Sequence, residues 1–326
     1  MRYPIPKPPD SSHQNAGPSA MNNHHPSGLA TPLAPTRVEH HVSIRPVRTA
    51  DAEVCGRIIH DAFAGIAAAH GFPKDFPSGE SGIALARALA EDPAYYGVVA
   101  TIGETVVGSN FLSKVDEVRG VGPITVDPSR QAEGIGRQLM QAVLDRAQDA
   151  ASVRLVQDAF NTRSLALYAS LGFEVQAPLL LMHGTPRGEM AGGMRVRPME
   201  EADIPACDAL CSAAHGVTRT QELRQAIGRH APMVLERHGR MVGYLTAPGV
   251  WLANHGVAET EQDMAALLAG AATARGEPIS LLLPSCQAGL LRWCLAEGMR
   301  VVKPMTLMSR GRYRQPAHCW FPSVFY

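Results

Sequence analysis

Gly120-Val121-Gly122-Pro123-Ile124-Thr125-Val126-Asp127-Pro128-Ser129-Arg130-Gln131-Ala132-Glu133-Gly134-Ile135-Gly136 is the stretch on which the reading of this chain turns. Ile124-Thr125-Val126 reads as a strand, Asp127-Pro128-Ser129 as a turn, and Gln131 to Gly136 as the opening of a helix. Ile135, Leu139, Met140, Val143, Leu144 and Ala147 then form one apolar stripe at helical spacing. A strand, a glycine loop and a helix N-terminus in this order make a phosphate site. First-turn N–H groups lack intrahelical partners, and the helix dipole favours an anion. Gly134 and Gly136 let a ligand approach without a Cβ in the way.

Two phosphate folds drop out. A dinucleotide fingerprint needs a third glycine where Leu139 stands, and a P-loop needs a lysine that does not follow Gly136. The pattern is Q-x-x-G-x-G. Pro123 adds a second mark, because proline inside a strand removes a ladder hydrogen bond and signals a bulge or an edge. Downstream, Val153 to Gln157 reads as the next strand. It is followed by Asn161-Thr162-Arg163-Ser164-Leu165-Ala166-Leu167-Tyr168-Ala169-Ser170-Leu171-Gly172-Phe173. Asn161 suits a helix cap and Gly172 a left-handed stop, with Tyr168 about two turns beyond Asn161 on the same face.

These two segments, in this order, resemble the pyrophosphate loop and the N-x-x-[SA]-x-x-L-Y-x-x-x-G-F signature of the GNAT superfamily of acyl-CoA N-acyltransferases. The resemblance implies an α/β fold: a mixed, mostly antiparallel sheet with a splayed central strand pair, flanked by helices. It implies acetyl-CoA as co-substrate, with no metal. Coenzyme contacts are then expected from Ile124, Thr125 and Val126 on the splayed strand and from Gln131, Ala132, Glu133, Gly134, Ile135, Gly136 and Arg137 at the loop. Asn161 and Ser164 complete that set. Tyr168 is the implied general acid for the departing thiolate, the alternative being a tyrosine packed on the sheet. Main-chain N–H near Val126 would polarise the thioester carbonyl.

The acceptor is an amine. With a pKa of ~10.4 a lysine-like ammonium is neutral roughly once in 2,500 molecules at pH 7, so its proton must be taken. Asp116 and Glu117, just before the glycine loop's strand, are candidates for this, directly or through water; the alternative is a solvated turn. Phe72 and Phe76, in a proline-stiffened loop with His70 and Asp75, suit a small amine with an apolar part, or else plug the loop onto the core. Asn110 on the strand Val107 to Phe111 is placed toward the cleft.

The chain also repeats itself. Ile44-Arg45-Pro46-Val47-Arg48 with Ala50-Asp51 recurs as Val196-Arg197-Pro198-Met199-Glu200 with Ala202-Asp203, an offset of 152 residues. Cys55 falls on Cys207 at the same offset. Cys207, Cys211 and His215 lie at i, i+4 and i+8, which reads as an apolar helix face before it reads as a metal site. The expected organisation is a Pro- and His-rich tail over residues 1–41, a catalytic domain over 42–184, a linker over 185–193 and a degenerate second copy over 194–326 that covers the acceptor side of the first. Where the second copy should carry Q-x-x-G-x-G it has Glu259-Thr260-Glu261-Gln262-Asp263-Met264, without glycine and with three acids. Trp293 or a neighbour replaces the helix tyrosine. The aromatic end, Cys319 onward, is expected to pack on the body near the cleft.

Composition narrows the function. Thirty basic and 30 acidic side chains give a formal charge of +0, and 18% of residues are charged. That balance speaks against nucleic-acid or membrane partners and for a small-molecule amine. No run approaches the ~18 apolar residues of a membrane span, and six scattered cysteines suit a reducing, cytoplasmic setting. The reading is a tandem N-acetyltransferase with one live site, the alternative being an acyl-CoA sensor that binds without turnover.

Overall fold

A computed structural model of the protein describes residues 41–188 and 190–325. The expected tail, up to residue 40, lies outside the described residues. The first copy runs β1 (Val42–Pro46), α1 (Ala52–His70), α2 (Gly79–Glu91), β2 (Tyr95–Ile102), β3 (Thr105–Ser113), β4 (Val118–Gly120), β5 (Thr125–Val126), α3 (Ile135–Arg146), β6 (Ser152–Asp158), α4 (Thr162–Ser170) and β7 (Glu174–Gly184). The second runs β8 (Met194–Pro198), α5 (Ile204–His215), α6 (Thr220–Arg229), β9 (Met233–Arg237), β10 (Arg240–Leu245), β11 (Gly256–Ala258), α7 (Glu261–Arg275), β12 (Ile279–Pro284), α8 (Ala288–Ala296) and β13 (Arg300–Gly311), and closes with β14 (Cys319–Phe321).

The repeat is visible atom by atom. Arg45 forks onto both oxygens of Asp51 at 2.7 and 2.8 Å, and the Arg48 N–H donates to the same carboxylate at 2.8 Å. Arg197 does the same to Asp203 at 2.7 and 2.8 Å, with the Glu200 N–H at 2.8 Å. In each copy the fork pins the first strand to the start of the first helix. These hydrogen bonds hold both carboxyls below the usual aspartate range. Cys55, Cys207 and Cys211 are fully buried in apolar cores.

Three sheets form: β1-β2-β3-β5, β14-β11-β10-β9-β8 and β12-β7-β13-β6-β4. The third interleaves the copies. β13 of the second copy pairs with β6 of the first, β7 of the first pairs with β12 of the second, and β7 and β13 pair antiparallel between them. Each copy therefore completes the other. Met308 of β13 packs into the core beneath α3 and α4, while Met182 of β7 packs beneath α7 and α8. No helix among the described residues is long and apolar enough to cross a membrane.

Candidate active site

The glycine loop is shaped for an anion. Asp127 turns the chain, its Oδ1 accepting from the Ser129 N–H at 2.8 Å. Ala132 (φ 71°) and Gly134 (φ 80°) then both adopt left-handed backbone, and α3 starts at Ile135. For alanine that conformation costs about 1–3 kcal/mol, and such strain collects at functional turns. The N–H groups of Arg137 and Gln138 donate to the Gly134 carbonyl at 3.1 and 3.3 Å. The amides before them stand at the start of the helix with no preceding turn to receive them. A Cβ on Gly134 would meet nothing within 4 Å, so the space before it is open. One on Gly136 would touch only Leu167 at 3.4 Å and Val126 at 3.9 Å. The protein's own packing leaves room for a side chain at both positions, although the left-handed backbone of Gly134 by itself favours glycine. Arg163 donates to Gln131 Oε1 at 3.3 Å and Arg137 to the Ser170 hydroxyl at 2.7 Å, so two guanidinium groups border the loop. The residues present fit a diphosphate.

Beside the loop the sheet opens. The sequence suggests one strand from Gly120 to Val126 with a bulge at Pro123; the structure instead divides it. β4 pairs parallel with β6 through Val118–Gly120, and β5 pairs antiparallel with β3 through Thr125 and Val126. Between them Gly122 takes a positive φ of 135° and donates to Phe111 O at 2.9 Å. Pro123 has no N–H with which to continue the ladder to β6. β5 and β6 thus belong to different sheets, and a cleft lies between them.

That cleft encloses about 840 Å³, its open mouth included. Ile124, Asn161, Ser164 and Tyr168 line it. Asn161 caps α4, its Oδ1 accepting from the Ser164 N–H at 3.1 Å, which fixes the helix and with it Tyr168 two turns on. Tyr168 is 6% exposed. Burial pushes its hydroxyl up to about 12; Ser164 one turn earlier offsets part of this, and the nearby Asp158 charge adds to it. The phenol therefore holds its proton throughout the neutral range. It lies both in the core under α3 and on the cleft wall.

The structure brings Phe76 to the cleft, edge-on to Phe63 at 5.5 Å. Other expected acceptor residues lie elsewhere. Phe72 stacks on Phe160 at 4.4 Å, outside the cleft lining. Asn110 is fully buried, donating to Leu139 O at 3.3 Å on α3 and not facing the cleft, because its position on β3 points it under that helix. Asp116 accepts from the Gln221 and Glu222 N–H groups, each at 3.2 Å, and so caps α6 of the second copy. Glu117 is half exposed and 3.6 Å from Arg312. Neither acid lines Tyr168's cleft.

The second copy, expected to cover the acceptor side, supplies cleft residues that the sequence reading did not single out by number. Trp251, Leu252, Met305, Val324 and Phe325 complete the cleft lining. Lys303 of β13 bridges Asp75 and Asp158, both cleft residues. The interleaved sheet puts it there, and no local pattern announces that. The aromatic terminus does fold back. Val324 N–H donates to Leu252 O at 2.9 Å, and Phe325 sits edge-on to Tyr95 at 5.3 Å. Gly120 allows this, since a Cβ there would stand 2.2 Å from the Phe325 carbonyl oxygen.

The second copy has its counterpart site filled. Gln287 occupies the cap of α8 with backbone angles (φ −84°, ψ 69°) close to those of Asn161 (φ −84°, ψ 76°). Seven residues on stands Cys294, fully buried, in place of the tyrosine; it is the neighbour of Trp293. β14 pairs along β11 on the edge opposite β10, filling the opening that the first copy leaves beside β5. The helix start is occupied too: Arg237 and Arg240 bind Glu259, Arg237 also binds Asp263, and Thr260 caps α7. Among the described residues no group of three or more His, Cys, Asp or Glu is arranged to hold a metal ion.

Comparison with known proteins agrees with this arrangement. Residues 66–173 match the acetyltransferase (GNAT) family. The chain is 34% identical over 140 residues to the N-alpha-acetyltransferase RimI of Mycobacterium tuberculosis, a match spanning 41% of this chain and 78% of that protein. A Pyrococcus horikoshii crystal structure superposes with a TM-score of 0.68 at 16% identity, over 93% of this chain and 98% of that one. A tandem GNAT protein from the clavulanic acid biosynthesis pathway superposes at 0.53 and 16% identity, over 82% and 98%. At such identities the two structures speak for the fold across both copies, and the sequence relationship speaks for the family. The chain belongs to the GNAT acetyltransferase family and is an acyltransferase with a tandem GNAT fold.

Proposed function

We propose that the first copy transfers an acetyl group from acetyl-CoA to the primary amine of a small molecule, with Tyr168 as general acid. The observation that carries this reading is the continuity of three features. The Gln131–Gly136 loop follows β5 along the chain, and the opening between β5 and β6 leads into the cleft that Ile124, Asn161, Ser164 and Tyr168 line. Acetyl-CoA supplies an activated acetyl thioester. The loop amides of Gln131, Ala132, Glu133, Gly134, Ile135 and Gly136, with Arg137 and Arg163 beside them, would hold its diphosphate. Main-chain groups of Ile124, Thr125 and Val126 on the edge of β5 away from β3 would orient the pantetheine arm. The carboxamide of Asn161 and the Ser164 hydroxyl face the same cleft, and Tyr168 would pass its phenolic proton to the departing sulfur.

The second copy supports a small acceptor. Trp251, Leu252, Val324 and Phe325 wall the cleft on the side from which an amine would enter. Its own counterpart site, filled by β14 and by arginine–carboxylate pairs, is expected to take no coenzyme.

Amine-dependent release of free thiol from acetyl-CoA tests the reading. Turnover with at least one small amine supports it. Binding of acetyl-CoA with no thiol release from any of a broad panel of amines would favour a sensor. A further test addresses the loop. Gly134→Val places a Cβ in the open cradle and on a left-handed residue, so acetyl-CoA affinity should fall by roughly 10- to 100-fold and stability by about 1–2 kcal/mol. Gly136→Ala should weaken binding with almost no change in Tm, because its Cβ meets only ordinary contacts. Calorimetric titration with coenzyme A and thermal melts measure both.

A further inference from the structure

Three charged side chains from three distant parts of the chain meet in the cleft. Lys303 Nζ lies 2.6 and 2.7 Å from the two oxygens of Asp75 and 2.6 Å from Asp158 Oδ1. Side-chain exposure is 2% for Lys303, 9% for Asp75 and 5% for Asp158. Two carboxylates and one ammonium leave a net negative charge on these three side chains in an apolar enclosure, with the His70 imidazole the further cationic group acting on Asp158. Such a charge is costly there until a second cation arrives.

We propose that the Asp75–Lys303–Asp158 cluster is the acceptor-recognition site, and that it selects a compact primary monoammonium with an apolar body and no carboxylate of its own. The inference rests on the acetyltransferase reading for its biological sense, and on the cluster alone for its chemistry. A guest ammonium brings the cluster to neutrality; a guest carrying a carboxylate beside its amine brings the unwanted sign back. Phe63, Phe76, Trp251 and Phe325 offer ring surfaces for the body and for the cation itself. Lys303 already lies 5.5 Å from the centre of the Trp251 ring.

A second observation points to a guest. Gln157 lines the same cleft at 6% exposure, and neither its Nε2 nor its Oε1 has a hydrogen-bond partner among the described residues. An unpaired buried amide costs about 1–3 kcal/mol per group, and an ammonium guest would recover part of this by donating to Gln157 Oε1. Burial also raises the Asp158 carboxyl above the usual aspartate range, with Lys303 opposing, as expected for a carboxylate short of one counter-charge.

Calorimetry of the full chain, with and without coenzyme A, decides the matter using three probes of one shape: 2-phenylethylamine, phenylalanine and 2-phenylethanol. The amine should bind at least ~30-fold tighter than the other two. Asp75→Asn should reduce that advantage at least ~10-fold while leaving the alcohol's affinity in place. Lys303→Met makes the cluster doubly negative and should turn the preference toward 1,4-diaminobutane. If circular dichroism shows that this variant does not fold, Asp75→Asn carries the test. Phenylalanine binding as tightly as 2-phenylethylamine, or an unchanged ratio in Asp75→Asn, overturns the proposal and leaves acetyl transfer standing. So does an alanine-initiated peptide that outbinds the small amine. Selective amine binding by a chain that ignores acetyl-CoA would do the reverse.

Discussion

Tyr168→Phe is expected to lower kcat for acetyl transfer by roughly 10²- to 10⁴-fold while coenzyme affinity stays within about twofold. The substitution removes one oxygen from a residue packed against Leu155 and Phe173, so the fold has little reason to change. Tyr168 lines the cleft, and Asn161 fixes the helix that presents it. The pH dependence should carry a signature. Burial pushes the phenol up to about 12. Because the folded group ionises only above that of free tyrosine, the acid form is intact across neutral and mildly alkaline pH. No loss of rate assignable to this residue should appear below about pH 11. Stopped-time thiol assays on both proteins from pH 6 to 10 read this directly. A phenylalanine variant retaining half the wild-type rate would remove Tyr168 from the chemistry and leave it a packing residue.

Deleting residues 319–326 should cost the protein much of its stability. Cys319, Trp320 and Phe321 are 2% exposed or less, in strand pairing with β11 and in contact with two of the hydrophobic cores. Losing a buried Trp or Phe side chain costs about 3–5 kcal/mol each, against a whole-domain stability of about 5–15 kcal/mol. The truncated chain should therefore unfold at a much lower urea concentration or aggregate on expression. Trp320→Ala alone should give a folded protein weakened by about 3–5 kcal/mol. The deletion also opens the second copy's cleft and removes Val324 and Phe325 from the first. An unchanged urea midpoint in the truncated chain would show that β14 contributes nothing to the body.

Much of the site was legible locally. The Q-x-x-G-x-G loop, the Asn161 cap and Tyr168 two turns later are short-range patterns, set by helix geometry and by glycine's access to left-handed backbone. Asn161 and Tyr168 line one cleft, and the loop opens the helix that follows β5. The recurrence of Arg45 and Asp51 as Arg197 and Asp203 was legible too, whereas the fork each pair forms emerged only in the structure. Acceptor residues were not. Asn110 sits on a strand whose two faces are both covered, so alternation alone could not tell the cleft from the underside of α3. Asp116 precedes the right strand but serves as a cap for α6, whose approach to it is a matter of tertiary packing.

The sequence by itself determined that this is a duplicated GNAT chain with one copy retaining the coenzyme motifs, because those motifs are contacts between near neighbours along the chain. Only the tertiary structure decided that β7 and β13 interleave, that β14 fills the second copy's opening, and that Lys303 stands between Asp75 and Asp158. Strand partners are chosen by burial and register across more than a hundred residues, and a side chain delivered by such pairing leaves no mark in the sequence around it.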